Sequence, residues 1–178
     1  MGKRDLLLIK SDAIFCRINN LKVDIGDIIK HRMTKTIKNN KKLKGKCNGI
    51  CFILGNGPSL KNVDLSLLED YDTMTVNGFY LSDVNFKSTY HVLIDSAYCE
   101  ESCWPQINNA VKKNSKIKFI VTDKIEPYVR KLTDGRVEII TIASRHCLVG
   151  EKLEIDMSRE MTGSLNVIPV AIQCAMYM

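Results

Sequence analysis

The segment Cys51–Leu60, with the sequence CFILGNGPSL, constrains the fold of this chain more than any other. Its apolar start, rich in β-branched and aromatic residues, predicts a buried strand, and the Gly-Asn-Gly-Pro-Ser run that follows predicts a sharp turn. Gly55 and Gly57 allow left-handed backbone angles and leave space above the main chain for a ligand. Pro58 fixes φ where a helix or turn begins, and Ser59 is a candidate cap for it.

The junction between this strand and its loop is a candidate ligand site. In α/β sheets, nucleotides and phosphates bind at the carboxyl end of the first strand, next to the turn that follows it. Asn56 lies in this turn, and its amide can both donate and accept hydrogen bonds. A plain tight turn is the alternative interpretation, because two glycines alone are a weak signal.

From Gly49 onward, short apolar runs alternate with helical stretches, which predicts an α/β domain over residues 49–178. We expect a Rossmann-like, mostly parallel sheet covered by helices. The predicted strands are Ile50–Leu54, Thr73–Val76, His91–Ile94, Ile117–Val121 and Val137–Ile142. Helices are predicted near Leu65–Glu69, Glu100–Lys113 and Lys124–Leu132. The strand ends then place Asn56, Asn77 and Asp95 along one edge of the sheet.

The last helix is expected to form a second anion site. Thr162 is a good N-cap, Gly163 and Ser164 would open the first turn, and the residues from 165 to 178 are largely apolar. Pro169 predicts a kink unless the helix begins nearer to it. Because an apolar helix normally needs a strand after it, we expect the chain to be a truncated piece of a longer protein.

Residues 1–48 are predicted to form a basic helical extension. Apolar residues recur at helical spacing over residues 20–40, and residues 1–46 carry 13 lysines and arginines against 4 aspartates, a net charge of +9. Three interpretations remain open for this charge: a solvated helix tail, a contact with anionic membrane lipids, or nucleic-acid binding. Nucleic-acid binding is the least favoured, because no aromatic residues are interleaved with the lysines.

The sequence predicts a cytoplasmic protein without a metal site. The apolar core near the amino terminus is too short for a secretory signal peptide, and seven cysteines fit a reducing compartment better than a disulfide framework. The pairs Cys47/Cys51 and Cys99/Cys103 have a spacing that suggests zinc, but no nearby histidine completes either set.

Four segments together resemble a known domain superfamily. Gly55–Leu60 looks like the start of the nucleotide-binding domain of bacterial sialyltransferases of the lipooligosaccharide type. It is equally similar to the domain shared by motility accessory factors, described as flagellin glycosyltransferases, and the archaeal 6-hydroxymethylpterin diphosphokinase. Val76–Tyr80, His91–Ser96 and Thr162–Ser164 fit the later motifs of the same pattern. The resemblance runs from about Gly49 to the last residue.

This resemblance implies a glycosyltransferase that binds a nucleotide-activated sugar, with a CMP-linked acidic sugar as donor, for surface glycan or lipopolysaccharide synthesis. Asn56 and Asn77 would contact the donor, and Thr162, Gly163 and Ser164 would bind its phosphate or carboxylate. No metal would be required, and a glycolipid acceptor would place the protein at the inner face of the cell membrane. Each asparagine has a simpler alternative role, which is to stabilise its own turn.

No catalytic residue is assigned. In the sialyltransferases that the chain resembles, the catalytic histidine lies beyond the point where this chain stops. His91 begins a strand and is expected to be structural, whereas His146 is a weak candidate for the general base.

Two alternative functions remain open. Asp95 stands where sialyltransferases often have asparagine, and a carboxylate there is able to hold Mg²⁺ against a diphosphate. That chemistry favours a diphosphokinase that transfers diphosphate from ATP to a pterin alcohol. The other alternative is a catalytically silent nucleotide-binding module.

Overall fold

The protein is built on a parallel sheet of six strands whose order in the sheet is their order in the sequence. A computed structural model describes residues 35–47, 49–81, 84–146, 153–163 and 166–178, with the backbone alone at residues 145 and 146. The strands are β1 Cys51–Leu54, β2 Asp72–Val76, β3 Tyr90–Leu93, β4 Lys118–Thr122, β5 Glu138–His146 and β6 Glu160–Gly163. Every neighbouring pair is parallel. The prediction of a Rossmann-like α/β fold is therefore confirmed.

Short helices connect and cover the strands. The α-helices are α1 Lys35–Lys38, α2 Trp104–Lys113, α3 Glu126–Thr133 and α4 Val167–Tyr177. The 3₁₀ helices are Asn39–Leu43, Pro58–Asn62, Leu65–Leu68, Asn77–Leu81, Ser96–Cys99 and Glu101–Cys103. In the part of the chain that the structure describes, no helix has the length and apolar content needed to cross a membrane.

The five predicted strands are present, but the sixth was missed. β1 to β4 start and end within a residue of the prediction, and β5 continues to His146. Thr162 and Gly163 belong to β6 rather than to the start of a helix, so that part of the prediction is wrong. Of the helix predicted over residues 20–40, only the last part is described, and it appears there as α1 and the 3₁₀ turn after it.

The sheet has a separate apolar core on each face. Successive strand residues point to opposite faces of the sheet, and alternate residues share a face. Met74 and Val76 of β2 belong to the first core, and Phe119 and Val121 of β4 belong to the second. The first core lies under α4 and the segment 35–43, and includes Leu43, Met157, Met161, Val170 and Cys174. The second lies under α2, α3 and the 3₁₀ helix Asn77–Leu81. Helices therefore cover the sheet on both sides, as the sequence predicts.

The position of α4 determines where a ligand can bind. This helix follows β6 in the chain, yet it packs against β1, β2 and β3 at the other side of the sheet. Its first residues lie beside the carboxyl ends of β1 and β2, where Gly55 approaches Ile168. The chain thus brings a helix start to the strand ends that the sequence marks with Asn56 and Asn77.

Asn40 anchors the segment 35–43 to the first core. Its side-chain amide is buried and donates hydrogen bonds to the carbonyl oxygens of Thr141, at 2.8 Å, and Met157, at 2.9 Å. Together with the buried side chains of Ile37 and Leu43, it fixes this segment against β5 and the turn at Met157.

We predict that Asn40→Ala lowers the free energy of unfolding by about 1–3 kcal/mol, because it leaves two carbonyl groups buried without these donors. Urea denaturation of the two proteins measures this difference. Asn39→Ala is the matched control: Asn39 is the exposed neighbour, and we expect a change within about 0.5 kcal/mol. Equal losses in the two variants would contradict the anchoring role.

Candidate functional site

An open cavity of about 380 Å³ lies at the carboxyl ends of β1 and β2. It is lined by the end of β1 and its turn, the end of β2, and the first residues of α4. The lining residues are Gly55, Asn56, Gly57, Val76, Asn77, Asn166, Val167 and Ile168. The volume falls within the range of about 300–1,000 Å³ that is typical of small-molecule sites.

Asn77 is the most unusual residue of the cavity. It follows β2 directly and has a φ of +41°, in the left-handed region that few residues other than glycine and asparagine enter readily. Within the described residues, its Oδ1 atom is buried and accepts no hydrogen bond. A buried acceptor without a donor is costly unless a ligand supplies one. Four other buried side-chain atoms of the described residues also lack a partner, but of these five residues Asn77 is the one that lines the cavity, which favours a polar ligand there.

Asn56 reaches the cavity from the β1 turn and lies close to Gly78. A Cβ atom at position 78 would lie 3.1 Å from Asn56 Nδ2 and 3.0 Å from Leu81 Cδ1. Glycine at position 78 thus gives the Asn56 amide the space it occupies, and the turns after β1 and β2 pack together through this contact.

Gly55 and Gly57 line the cavity without adopting the left-handed angles that glycine allows. Neither has a positive φ; Gly57 has φ −69° and ψ 156° and precedes the 3₁₀ helix that Pro58 begins. A Cβ at Gly55 would contact Ile168 Cδ1 at 3.9 Å, an ordinary packing distance. Left-handed angles are not needed here, because an extended backbone at Gly57 is enough to reach the 3₁₀ helix after β1.

The start of α4 contributes few main-chain donors. Asn166 is its N-cap, and its Oδ1 accepts a hydrogen bond from the backbone N–H of Ile168 at 3.0 Å. Pro169 has no N–H. Of the first three helical positions, only Val167 therefore has an N–H group that a ligand is able to use, together with the positive end of the helix dipole.

Thr162 and Gly163 lie outside the cavity, contrary to their predicted role. Both are buried in β6. Thr162 Oγ1 accepts a hydrogen bond from the N–H of Glu154 at 2.8 Å, and its carbonyl accepts one from the Gln173 side chain at 3.0 Å. These contacts join β6 to a neighbouring loop and to α4, so the polar groups of Thr162 are used within the protein. Ser164 lies outside the described residues.

Pro58, Ser59 and Asp95 are near the strand ends but do not line the cavity. Pro58 and Ser59 are exposed in the 3₁₀ helix after β1. Asp95 is exposed at the end of β3, where its Oδ1 accepts a hydrogen bond from the N–H of Ala97 at 3.0 Å and caps the following turn. Among the residues that the structure describes, no group of three or more metal-binding side chains occurs at Asp95 or elsewhere.

Two further polar residues near the sequence motifs, Tyr80 and Arg159, are not among the described lining residues. Tyr80 is buried in the second core and hydrogen-bonds Ser88 Oγ at 2.8 Å, so it does not face the cavity. Arg159 lies near Asp156, with 3.6 Å between Nε and Oδ2, and is not among the residues that line the cavity. The side chain of His146 lies outside the described part of the chain.

A buried polar network links β2 to β3 next to the site. His91 Nδ1 lies 2.9 Å from Thr75 Oγ1, which lies 2.9 Å from Ser88 Oγ. Tyr80 and Phe119 pack edge-on against the imidazole. Burial lowers the pKa of His91 from 6.5 to about 3, although hydrogen bonding to the backbone of Thr75 and Asn77 acts in the opposite direction. His91 is thus a neutral structural residue, as the sequence predicts.

Four lining residues were not predicted as part of the site: Val76, Asn166, Val167 and Ile168. The position of Pro169 is the signal that indicates the last three, because proline is tolerated in the first turn of a helix and not in its interior. Placing the helix start just before Pro169 identifies Asn166 as the cap. The sequence does not indicate that this cap reaches β1 and β2.

Comparison of the chain with protein-family models, with curated proteins and with solved structures finds no match. The resemblance to glycosyltransferase domains therefore remains an expectation from the sequence motifs.

We predict that His91 makes the protein less stable as the pH falls below about 6.5. The unfolded chain binds a proton at this histidine near pH 6.5, whereas the folded protein does so only near pH 3. The free energy of unfolding should therefore decrease between these values, by up to about 1.4 kcal/mol per pH unit from this group. Urea denaturation from pH 7.5 to 5 measures the slope.

The comparison variant is His91→Gln, which lacks the titrating ring. The variant is expected to be less stable at pH 7.5 but to lose less stability on acidification than the unmodified protein. Identical slopes would show that His91 is not held neutral by the fold.

Proposed function

We propose that the protein binds a nucleotide, as part of a nucleotide-activated sugar, in the cavity between β1, β2 and α4. The observation that carries the proposal is the convergence of three asparagine residues on this cavity, with Asn77 Oδ1 buried and without a donor among the described residues. Amides recognise the hydroxyl groups of a ribose and the edges of a base, since they donate and accept without carrying charge. The location at the carboxyl edge of a parallel sheet is the usual nucleotide position in such folds.

The chemistry of the lining favours binding without a metal. None of the eight described lining residues is ionisable, so recognition by them depends on the amides, the Val167 N–H group and the dipole of α4. A phosphate next to the α4 start would be stabilised by that dipole. Asp95, the carboxylate on which a magnesium-dependent diphosphokinase would rely, caps its own turn outside the lining.

A glycosyltransferase role follows from the motif resemblance at Gly55–Leu60 and Val76–Tyr80, and it is the function we assign. The segments with this resemblance are the turns after β1 and β2, which contribute Asn56 and Asn77 to the cavity. A CMP-linked acidic sugar is the proposed donor. Transfer also needs a general base for the acceptor hydroxyl, and that base must come from outside the eight lining residues.

The experiment is a calorimetric titration of the full chain with CMP, CDP, ATP and GTP, each with and without magnesium. We expect CMP to bind without metal. Binding of ATP only with magnesium would instead assign the diphosphokinase chemistry, and no binding of any nucleotide would refute the proposal. Release of CMP from a CMP-sugar in the presence of a glycan acceptor then tests the transfer step.

Two substitutions test the site itself. Asn56→Ala and Asn77→Gly each remove one amide, and glycine at position 77 keeps the left-handed backbone without strain. We expect each to weaken nucleotide binding about tenfold, the effect of losing one or two neutral hydrogen bonds. Asn62→Ala is the control, because Asn62 is exposed in the neighbouring 3₁₀ helix and does not line the cavity. Equal affinities for the Asn56→Ala and Asn62→Ala variants would place the nucleotide elsewhere.

Gly78→Ala tests the packing behind Asn56. The added Cβ would crowd Asn56 Nδ2 and Leu81 Cδ1, so the amide must move although it is still present. We predict weaker nucleotide binding, by up to about tenfold, with the thermal unfolding midpoint little changed. Unchanged affinity would mean that the position of the Asn56 amide does not matter for recognition.

A further inference from the structure

The segment 35–46 carries six lysines in twelve residues and no acidic residue. All six are exposed: Lys35, Lys38, Lys41, Lys42, Lys44 and Lys46. The buried residues between them, Ile37, Asn40 and Leu43, fix the backbone to the first core. The lysines are therefore presented by a segment that the fold holds in place, and we call this surface the lysine patch.

Within the described residues, no carboxylate lies within ion-pair distance of a lysine of this patch. Surface lysines are normally interspersed with acidic side chains, and a patch of one sign attracts ligands of the opposite sign. The charge is also local, because residues 47–178 carry 13 basic and 16 acidic side chains.

The end of α4 adjoins the lysine patch, and α4 carries two exposed apolar side chains. The N–H groups of Gly45 and Cys47 donate to the carbonyl oxygens of Tyr177, at 3.0 Å, and Met178, at 2.7 Å, so the end of α4 lies directly beside the patch. On α4, Ile172 is 44% exposed and Met176 is 63% exposed. These two residues are four positions apart and therefore share one side of the helix.

We propose that the lysine patch and the exposed side of α4 form a surface that binds anionic lipid membranes. Lysines next to exposed apolar side chains are the combination that peripheral membrane surfaces use, with the charges facing lipid headgroups and the apolar groups entering the interface. Nucleic acid is disfavoured, because aromatic side chains for base stacking are absent from residues 35–46. This inference does not depend on the proposed nucleotide site.

The test is co-sedimentation of the full chain with vesicles of equal parts phosphatidylcholine and phosphatidylglycerol, compared with phosphatidylcholine alone. We expect binding only to the anionic vesicles, and weaker binding at high salt. Absence of binding to anionic vesicles would overturn the proposal.

The decisive comparison uses two variants of equal net charge. The patch variant replaces Lys35, Lys38, Lys41 and Lys42 by Gln, and the control variant replaces Lys61, Lys112, Lys116 and Lys124, which are exposed elsewhere. Each patch lysine should contribute about fivefold, so the patch variant is expected to lose about a hundredfold or more in vesicle affinity. The control should retain most of the binding. Equal losses would mean that net charge alone is responsible, and the proposal would be wrong.

Three further variants allow for misfolding of the fourfold variant and separate the contribution of charge from that of apolar contact. If the fourfold patch variant does not fold, Lys44→Gln combined with Lys46→Gln is expected to lower affinity about 25-fold. Met176→Gln should weaken vesicle binding several-fold, whereas Leu67→Gln, at a residue that is 72% exposed on another element, should not. A patch-dependent interaction with single-stranded RNA, without vesicle binding, would assign the surface to nucleic acid and overturn the membrane proposal.

Discussion

Helix α4 follows β6 in the chain yet packs across β1, β2 and β3, at the opposite side of the sheet. The strands themselves lie in sequence order, so the strand order contains no reversal that would open a crevice between two halves of the sheet. Because α4 packs against β1 and β2, its first residues form the wall of the cavity that the strand order does not provide. Burial of Val170, Ala171 and Cys174 in the first core fixes the helix there, and the cavity exists because of that burial.

The electrostatic character of the cavity follows from which residues this packing brings together. Its described walls come from two strand ends and one helix start, and these residues carry amides, glycines and aliphatic side chains but no ionisable group. The titratable His91 belongs to β3 and lies beside Thr75 of β2, where burial keeps it neutral near pH 7. Selectivity in such a site would depend on hydrogen-bond geometry and on the α4 dipole rather than on ion pairing.

The sequence predicted the strands well and the last helix poorly. β1 to β5 were found because short apolar runs separated by polar turns are a local signal. Thr162 was assigned to a helix cap because threonine before an apolar run also fits that pattern, but its hydrogen bonds to Glu154 and Gln173 make it part of β6. Those partners lie 8 and 11 residues away, and no local pattern indicates them.

The sequence by itself determined the α/β class, the five main strands, and the polar residues Asn56 and Asn77 that follow β1 and β2. These features depend on the alternation of apolar and polar residues and on turn chemistry, which act over a few positions. Only the tertiary structure decided that Asn166 joins those two asparagines and that Asp95 and Thr162 do not. It also decided that Asn77 Oδ1 is buried without a donor among the described residues. The reason is physical: which strand ends a distant helix covers depends on the burial of the whole apolar surface, summed over residues far apart in the chain.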